Sequence, residues 1–506
     1  MREWRVNRFI RLKFVPYNLQ LFVIMRFFTF IMIGTLFADG LMTLTIVKAP
    51  KHFSLRGGAT VVKKLQTRTT ALKSTTATSP KSTPTITNQS LAGLTVALAS
   101  LPTSLTFATI AKVDPLVALW TTAITAVVSS LTGVRPGVMF GAAGVVAVPI
   151  GTLVGQYGTK IVAPTILLST LFTGLFGIIC KCTIANNTQA FEDFVSLNVM
   201  NGFMNSLGFV LLRSQLAVFC LPGGAGLLPK TQLIPAAAIA ASVAMGTKLL
   251  PRSPIPNPII MLVVSSVLCT VFSDKFGPVK LLGSLGNSDT FDGGVKSLPK
   301  LLPVSAFTEA LKNQFGGNLI SFAKVLAPVA AGIGFITVLE TLLAKKLVDE
   351  KVGADADADA GKDVSVLSQT VSNIVSCLFG GFGGCGLIPQ TVLNLSSGGS
   401  TRVSGLAYGL FFGLGIVLTA PLLSKIPLAA LAGVMLAVCY DTIQAKSSWK
   451  MLQSGLAKDG EKSNAVKLTA LILTTFVGVE FGFAAGILSG VSCEKILGRQ
   501  LRAKMA

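Results

Sequence analysis

Glu340 is the most conspicuous candidate for chemistry in this chain. It lies in FITVLETLLAKKLVDE, inside an apolar run that begins near Val325, and a helix would carry it roughly 22 Å along that run. Thr337, Glu340, Thr341 and Ala344 recur at i, i+3, i+4 and i+7 and so share one helical face. An acid that deep in a bilayer is expensive, and its usual reason is a proton or cation site. The competing reading ends the helix earlier and pairs Glu340 with Lys345 or Lys346 at the interface.

The second candidate is FGGFGGCGLIPQT at 379–391. Gly381, Gly383 and Gly386 fit the G-x-G-x-x-G spacing of a loop that cradles a pyrophosphate. That reading fails, because an apolar span precedes the glycines and no acid follows about 20 residues on to hold a ribose. The same residues suit a helix broken inside a bilayer. A helix that starts there presents unpaired N–H groups and the positive end of its dipole, which replace part of the water an anion loses. Pro389 fits the first helical position, where a missing N–H costs nothing, leaving the amides of Gln390, Thr391 and Val392 to point outward. Gly383, Gly384 and Gly386 let the incoming chain bend and approach a ligand. A matching stretch, GVRPGVMFGAAGVVAVPIG at 133–151, offers the amides of Gly141, Ala142, Ala143 and Gly144 after the turn at Arg135-Pro136-Gly137. Interrupted segments in corresponding halves point to the site of a transporter built from repeats. Incidental glycine in a helical bundle is the plain alternative.

Other chemistries find little support. The only histidine, His52, lies in the leader region, which disfavours a metalloprotease. The eight cysteines are scattered without a C-x-x-C pair; they read as buried thiols, and no metal or cofactor is expected. An intramembrane aspartyl protease needs two facing acids, and only Asp441 and Glu340 are candidates; Glu480 falls at the junction of a hairpin. DEKVGADADADAGKD reads as a solvated linker rather than a metal site. No enzyme activity is expected.

Residues of this kind need a membrane scaffold, and the composition provides one. The chain is 51% hydrophobic and 13% charged, against about 25% charged in a soluble domain. Apolar runs near the spanning length of about 20 residues recur at 91–110, 115–132, 161–180, 258–272, 403–420 and 466–492, the last long enough for a tight hairpin. Roughly 12 to 14 spans are expected from about residue 90 onward. The net charge of +22 is concentrated in residues 1–85, where 14 Lys and Arg face only Glu3 and Asp39. No basic stripe with interleaved aromatics appears, so no nucleic-acid partner is expected. Residues 25–47 read as a signal peptide and 51–90 as an acid-poor, hydroxyl-rich, basic transit segment. Together they suggest a two-part leader for a plastid bounded by extra membranes, with Met25 as the true start and 1–24 an extension. The alternative is a disordered cytoplasmic tail. The expected division is a leader over 1–88, a transmembrane transporter domain over 89–495 and a short tail over 496–506.

The order of motifs is similar to that of a known family. GLTVALASLPTSLTFATIAKVDPLVALW, GVRPGVMFGAAGVVAVPIGTLVGQYG and VMNGFMNSLGFVLLRSQL resemble spans one and two, three, and five of the sulfate permease (SulP) family of inorganic anion transporters. VLETLLAKKLVDEKVG resembles its eighth span, and SQTVSNIVSCLFGGFGGCGLIPQTVLNLSSGGSTRVSG its ninth and tenth, the most specific stretch. The resemblance implies an all-α polytopic membrane protein of about fourteen spans in two inverted repeats of about seven. It further implies core and gate domains in an elevator-like cycle, with half-helices three and ten meeting mid-membrane. By position, the implied anion site comprises Phe107, Ala142, Ala143 and Gly144, with Cys385, Gly386, Gln390 and Thr391 from span ten. Glu340 takes the acidic position that some members use for proton or sodium coupling. Members are commonly homodimers.

Several positions depart from the family pattern. Ala143 replaces a frequent Thr, and Pro102-Thr103 replaces Pro-Glu or Pro-Gln. Ala344 lacks the hydroxyl of sodium-coupled members, which favours proton coupling or exchange, and Gln390 stands where some animal members have Arg. With Ala506 directly after the last span, no soluble STAS domain is expected. The expected function is secondary transport of sulfate or bicarbonate; the alternative is a nucleobase or organic-anion permease of the same fold.

Overall fold

In lipid the backbone has no hydrogen-bond partner but itself, so long uncharged apolar stretches become helices. The computed structural model describes residues 85–183, 195–221, 226–251, 255–271, 279–284, 291, 293–353, 365–456 and 462–505. The expected leader, as far as residue 84, and the acidic stretch 354–364 lie outside the described residues. The helical body is formed by the described residues of 84–219 and 228–506. The short segment between them closes on itself through an antiparallel bridge from Cys220 to Leu227.

The first half contains α1 (Ile86–Ala111), α2 (Pro115–Thr132), β1 (Phe140–Ala142), α3 (Gly144–Tyr157), α4 (Val162–Thr183), α5 (Leu197–Leu216), α6 (Lys230–Leu249) and α7 (Asn257–Val271). The amphipathic α8 (Ser305–Phe315) leads into α9 (Leu319–Val352), α10 (Ser365–Leu378), β2 (Gly384–Gly386), α11 (Ile388–Ser396), α12 (Arg402–Leu423) and α13 (Leu428–Thr442). A second amphipathic helix, α14 (Ala445–Leu456), precedes the hairpin of α15 (Lys462–Phe481) and α16 (Phe483–Met505). Nine described helical stretches are long and apolar enough to cross a bilayer, and α3 and α7 are shorter apolar helices.

Local chemistry sets many of the boundaries. Asp114 caps α2 by accepting from the Leu116 amide at 2.8 Å, Pro115 opens the helix, and Gly133 ends it at φ 104°. Asn318 caps α9 in the same way through the Ser321 amide at 3.1 Å. The final apolar run is divided as expected, at Gly482 (φ 99°). Helix α1 starts at Ile86, anchored at its first turn by Gln89, whose side chain bonds the backbone of Gly398, Ser400 and Thr401. Helix α16 continues as far as Met505, since no proline or capping residue interrupts it.

The two halves exchange partners. Helix α9 packs on α4 while α1 packs on α12, and α10 packs on α4 while α2 packs on α12. Likewise α13 packs on α6 and α15 on α5. At the centre β1 and β2 pair antiparallel, Gly141 opposite Cys385, flanked by Phe140 opposite Gly386 and Ala142 opposite Gly384. Large apolar side chains including Leu171, Leu175, Leu414, Leu418 and Phe476 remain exposed, as a lipid-facing perimeter requires.

Candidate functional site

Both interrupted segments come together at the β1–β2 ladder. Gly383 turns the chain at φ 80°, and Gly384 passes so close to the Gly141 carbonyl that a side chain there would collide with backbone. Irregular backbone at this depth needs partners for each polar group, and small polar side chains of the flanking helices supply them. Thr122 of α2 accepts from the Ala142 amide at 3.2 Å, and Thr121 from Phe382 at 3.2 Å. Asn373 of α10 bonds both the amide and the carbonyl of Gly384 at 2.9 Å. Thr341 of α9 accepts from the Gly386 amide at 3.0 Å and donates to Gln369 at 2.5 Å. Thr391 accepts from the Met139 amide at 3.1 Å.

Two helices start from this ladder. Helix α3 begins at Gly144, and the amides of Val146 and Ala147 already bond the Ala143 carbonyl, so the Gly144 and Val145 amides form its open end. Helix α11 begins at Ile388, which puts Pro389 second rather than first. The Thr391 amide bonds the Leu387 carbonyl at 2.9 Å, so the open end consists of the Ile388 and Gln390 amides. The expected outward amides of Thr391 and Ala142 are therefore consumed, one by the first helical bond and the other by Thr122. Phe107 of α1 and Leu211 of α5 lie over the start of α3: a Cβ on Gly144 would sit 3.1 Å from Phe107 Cε1 and 3.3 Å from Leu211 Cδ2. Ala142, Ala143, Cys385 and Thr391 are buried, whereas Gln390 is half-buried and its side chain has no hydrogen-bond partner among the described residues.

Glu340 stands beside the ladder. It is 8% exposed, and Thr337, Thr341 and Ala344 on the same face are buried with it. Its Oε2 accepts a hydrogen bond from the Cys385 thiol at 2.8 Å. Among the described residues no cation lies within ion-pair distance of Glu340, and Lys346 instead approaches Glu350 at 3.8 Å.

One constraint was not visible beforehand. Arg135, read as part of a turn, is 5% exposed and donates from Nε to Asp349 Oδ1 at 2.7 Å and from Nη2 to the Gly353 carbonyl at 3.0 Å. Asp349, expected in a solvated linker, belongs to the last turn of α9, because the helix continues to the glycine at 353. Leu211 gave no signal, being one leucine among many on an apolar helix.

Taken together these features define a helical integral membrane protein in which two helix starts, one from each half, converge on a paired strand beside a buried carboxyl group. The chain belongs to the sulfate permease family, whose model matches residues 86–222 and 231–458. It is 29% identical over 404 residues to a putative sulfate transporter of Bacillus subtilis (strain 168), YbaR, spanning 79% of this chain and 74% of that one. Similarity to the bicarbonate transporter BicA of a Picosynechococcus species is 24% over 416 residues, spanning 78% and 68%. The solved transmembrane domain of a cyanobacterium bicarbonate transporter BicA has the same fold, with a TM-score of 0.60 at 22% identity over 79% of this chain and 97% of that one.

Proposed function

We propose that the protein is a secondary transporter of a small inorganic anion, sulfate or bicarbonate, held between the starts of α3 and α11. The observation that carries this reading is the convergence of two helix N-termini from opposite halves on one ladder. Open amides and aligned dipoles favour a negative ligand without any fixed cation. In this reading Ala142, Ala143, Gly144, Cys385 and Gly386 form the backbone wall, Gln390 and Thr391 the first turn of α11, and Phe107 the lid. Glu340 carries the coupling proton, since a carboxyl group at this depth is kept for proton or cation traffic.

Setting aside the amphipathic α8 and α14, seven described helices remain in each half, and their exchanged packing supports reading the halves as inverted repeats of about seven crossings or part-crossings each. This arrangement supports the proposed transporter domain of about fourteen spans over 89–495, in which a core rocks past a gate. A homodimer and a plastid envelope, the latter from the leader composition, complete the proposal.

The test is uptake of labelled sulfate and of labelled bicarbonate into proteoliposomes at two pH values, with unlabelled nucleobases as competitors. Uptake of either anion that nucleobases leave untouched is expected, with pH dependence lost in Glu340→Gln. Competition by nucleobases would replace the substrate class, and unchanged pH dependence in Glu340→Gln would remove the coupling role.

A further inference from the structure

Cys385 lies in the segment that holds the anion in the reading above, yet its side chain does not face the open helix ends. Its thiol points across the ladder to α9 and donates to Glu340 Oε2 at 2.8 Å, with both residues buried. The geometry points to Cys385 as a positioning residue for Glu340, its S–H fixing the carboxyl group against β2 so that loading of Glu340 is felt at the strand leading into α11. This rests on the coupling role proposed for Glu340.

Three observations support it. First, Cys385 is paired opposite Gly141, so the thiol is attached to the backbone that joins the two half-sites. Second, the next residue on each element is tied together as well: Thr341 of α9 accepts from the Gly386 amide of β2 at 3.0 Å. Successive α9 residues thus hold successive β2 residues, Glu340 to the side chain of Cys385 and Thr341 to the backbone of Gly386. Third, the titratable groups on other elements packed against α9 are engaged elsewhere. Cys377 of α10 donates to the Ala163 carbonyl, Glu309 of α8 pairs with Lys160, Glu494 of α16 accepts from Asn198, and Tyr157 of α3 stacks on Phe315. Among described residues α11 has no titratable side chain, α4 has none before Cys180, and β2 has only Cys385. Cys493, Lys495, Arg499, Arg502 and Lys504 belong to the distal part of α16, and Lys312 is exposed on α8. On α9 itself, Lys324 lies four turns before Glu340, and Lys345, Lys346, Asp349, Glu350 and Lys351 lie beyond it; Asp349 holds Arg135 and Lys346 approaches Glu350.

Removing the donor changes the balance between the charged and neutral forms of the carboxyl group. In Cys385→Ala the midpoint of the pH profile of uptake should therefore move, and only modestly because a thiol is a weak donor. Cys385→Ser, which keeps a donor, should return the midpoint towards that of the unaltered protein. A readout independent of transport is the infrared S–H stretching band of Cys385, isolated as the difference between the unaltered protein and Cys385→Ala. A band displaced to low frequency that relaxes in Glu340→Leu is expected. An undisplaced band overturns the contact. A common midpoint for the unaltered protein and Cys385→Ala, with pH dependence still lost in Glu340→Gln, overturns the positioning role while leaving the coupling role standing. If Glu340→Gln retains the pH dependence, the coupling role fails and takes the positioning role with it, whatever the band shows.

Discussion

Asn373→Ala tests the claim that side chains of the flanking helices hold the ladder in place. Asn373 is 4% exposed and bonds both polar groups of Gly384, each at 2.9 Å. Alanine leaves a buried amide and a buried carbonyl without partners, at about 1–3 kcal/mol each. A water admitted to the space recovers part of that, so a net loss of about 3 kcal/mol is expected. The displaced strand leads directly into Leu387 and α11, so the KM for the anion should rise along with the loss of stability. The assays are thermal and denaturant unfolding of purified protein in detergent, beside uptake kinetics in proteoliposomes. Ser396→Ala, an exposed hydroxyl bonded to the Leu393 carbonyl of its own helix, is the control and should stay within about 0.5 kcal/mol. If Asn373→Ala unfolds like the control and keeps the unaltered KM, the ladder does not depend on α10 and the reasoning is wrong.

Gly144→Ala should impair uptake, because the new methyl group meets Phe107 and Leu211 at overpacked distances costing about 1–3 kcal/mol. Adding Leu211→Ala should recover part of the rate, which a double-mutant uptake assay measures. Arg135→Ala should destabilise the fold by about 3–5 kcal/mol by leaving Asp349 partly buried and unpaired. Arg135→Met with Asp349→Leu should melt closer to the unaltered protein than Arg135→Ala does, and equal melting temperatures for the two variants would count against a buried pair.

The spans and the breaks were legible in sequence for different reasons. Runs such as 91–110 and 115–132 announce α1 and α2 by length and lack of charge, and Gly383 and Pro389 announce a break through their restricted or permissive backbones. The pairing of β1 with β2 was not legible, since three-residue strands have no periodicity and Ala142 and Gly384 lie far apart in sequence. The supporting residues did leave a trace. Thr121, Thr125 and Ser129 on α2, and Ser365, Ser368, Gln369, Ser372, Asn373 and Ser376 on α10, recur at helical spacing as polar stripes in apolar helices. All are buried, and Ser368 bonds the Ser129 carbonyl and Thr132 across the α2–α10 contact. Arg135 and Asp349 could not be paired from sequence, because each has an adequate local explanation as a turn residue and a linker acid.

The exchanged packing of the two halves also governs how the protein is made. When Ala142 is added to the chain its pairing partner Gly384 is roughly 240 residues from being synthesised, an interval of about 12–50 s at ordinary elongation rates. Throughout it α1 and α4 lack α12 and α9, and the β1 backbone waits in the membrane with only Thr122 to bond it. The first half must therefore persist in the membrane for that time without the helices that later cover it. Pulse-labelled nascent chains should stay protease-sensitive around 133–151 until residues beyond α12 have emerged; protection acquired before then would mean that the first half closes on its own.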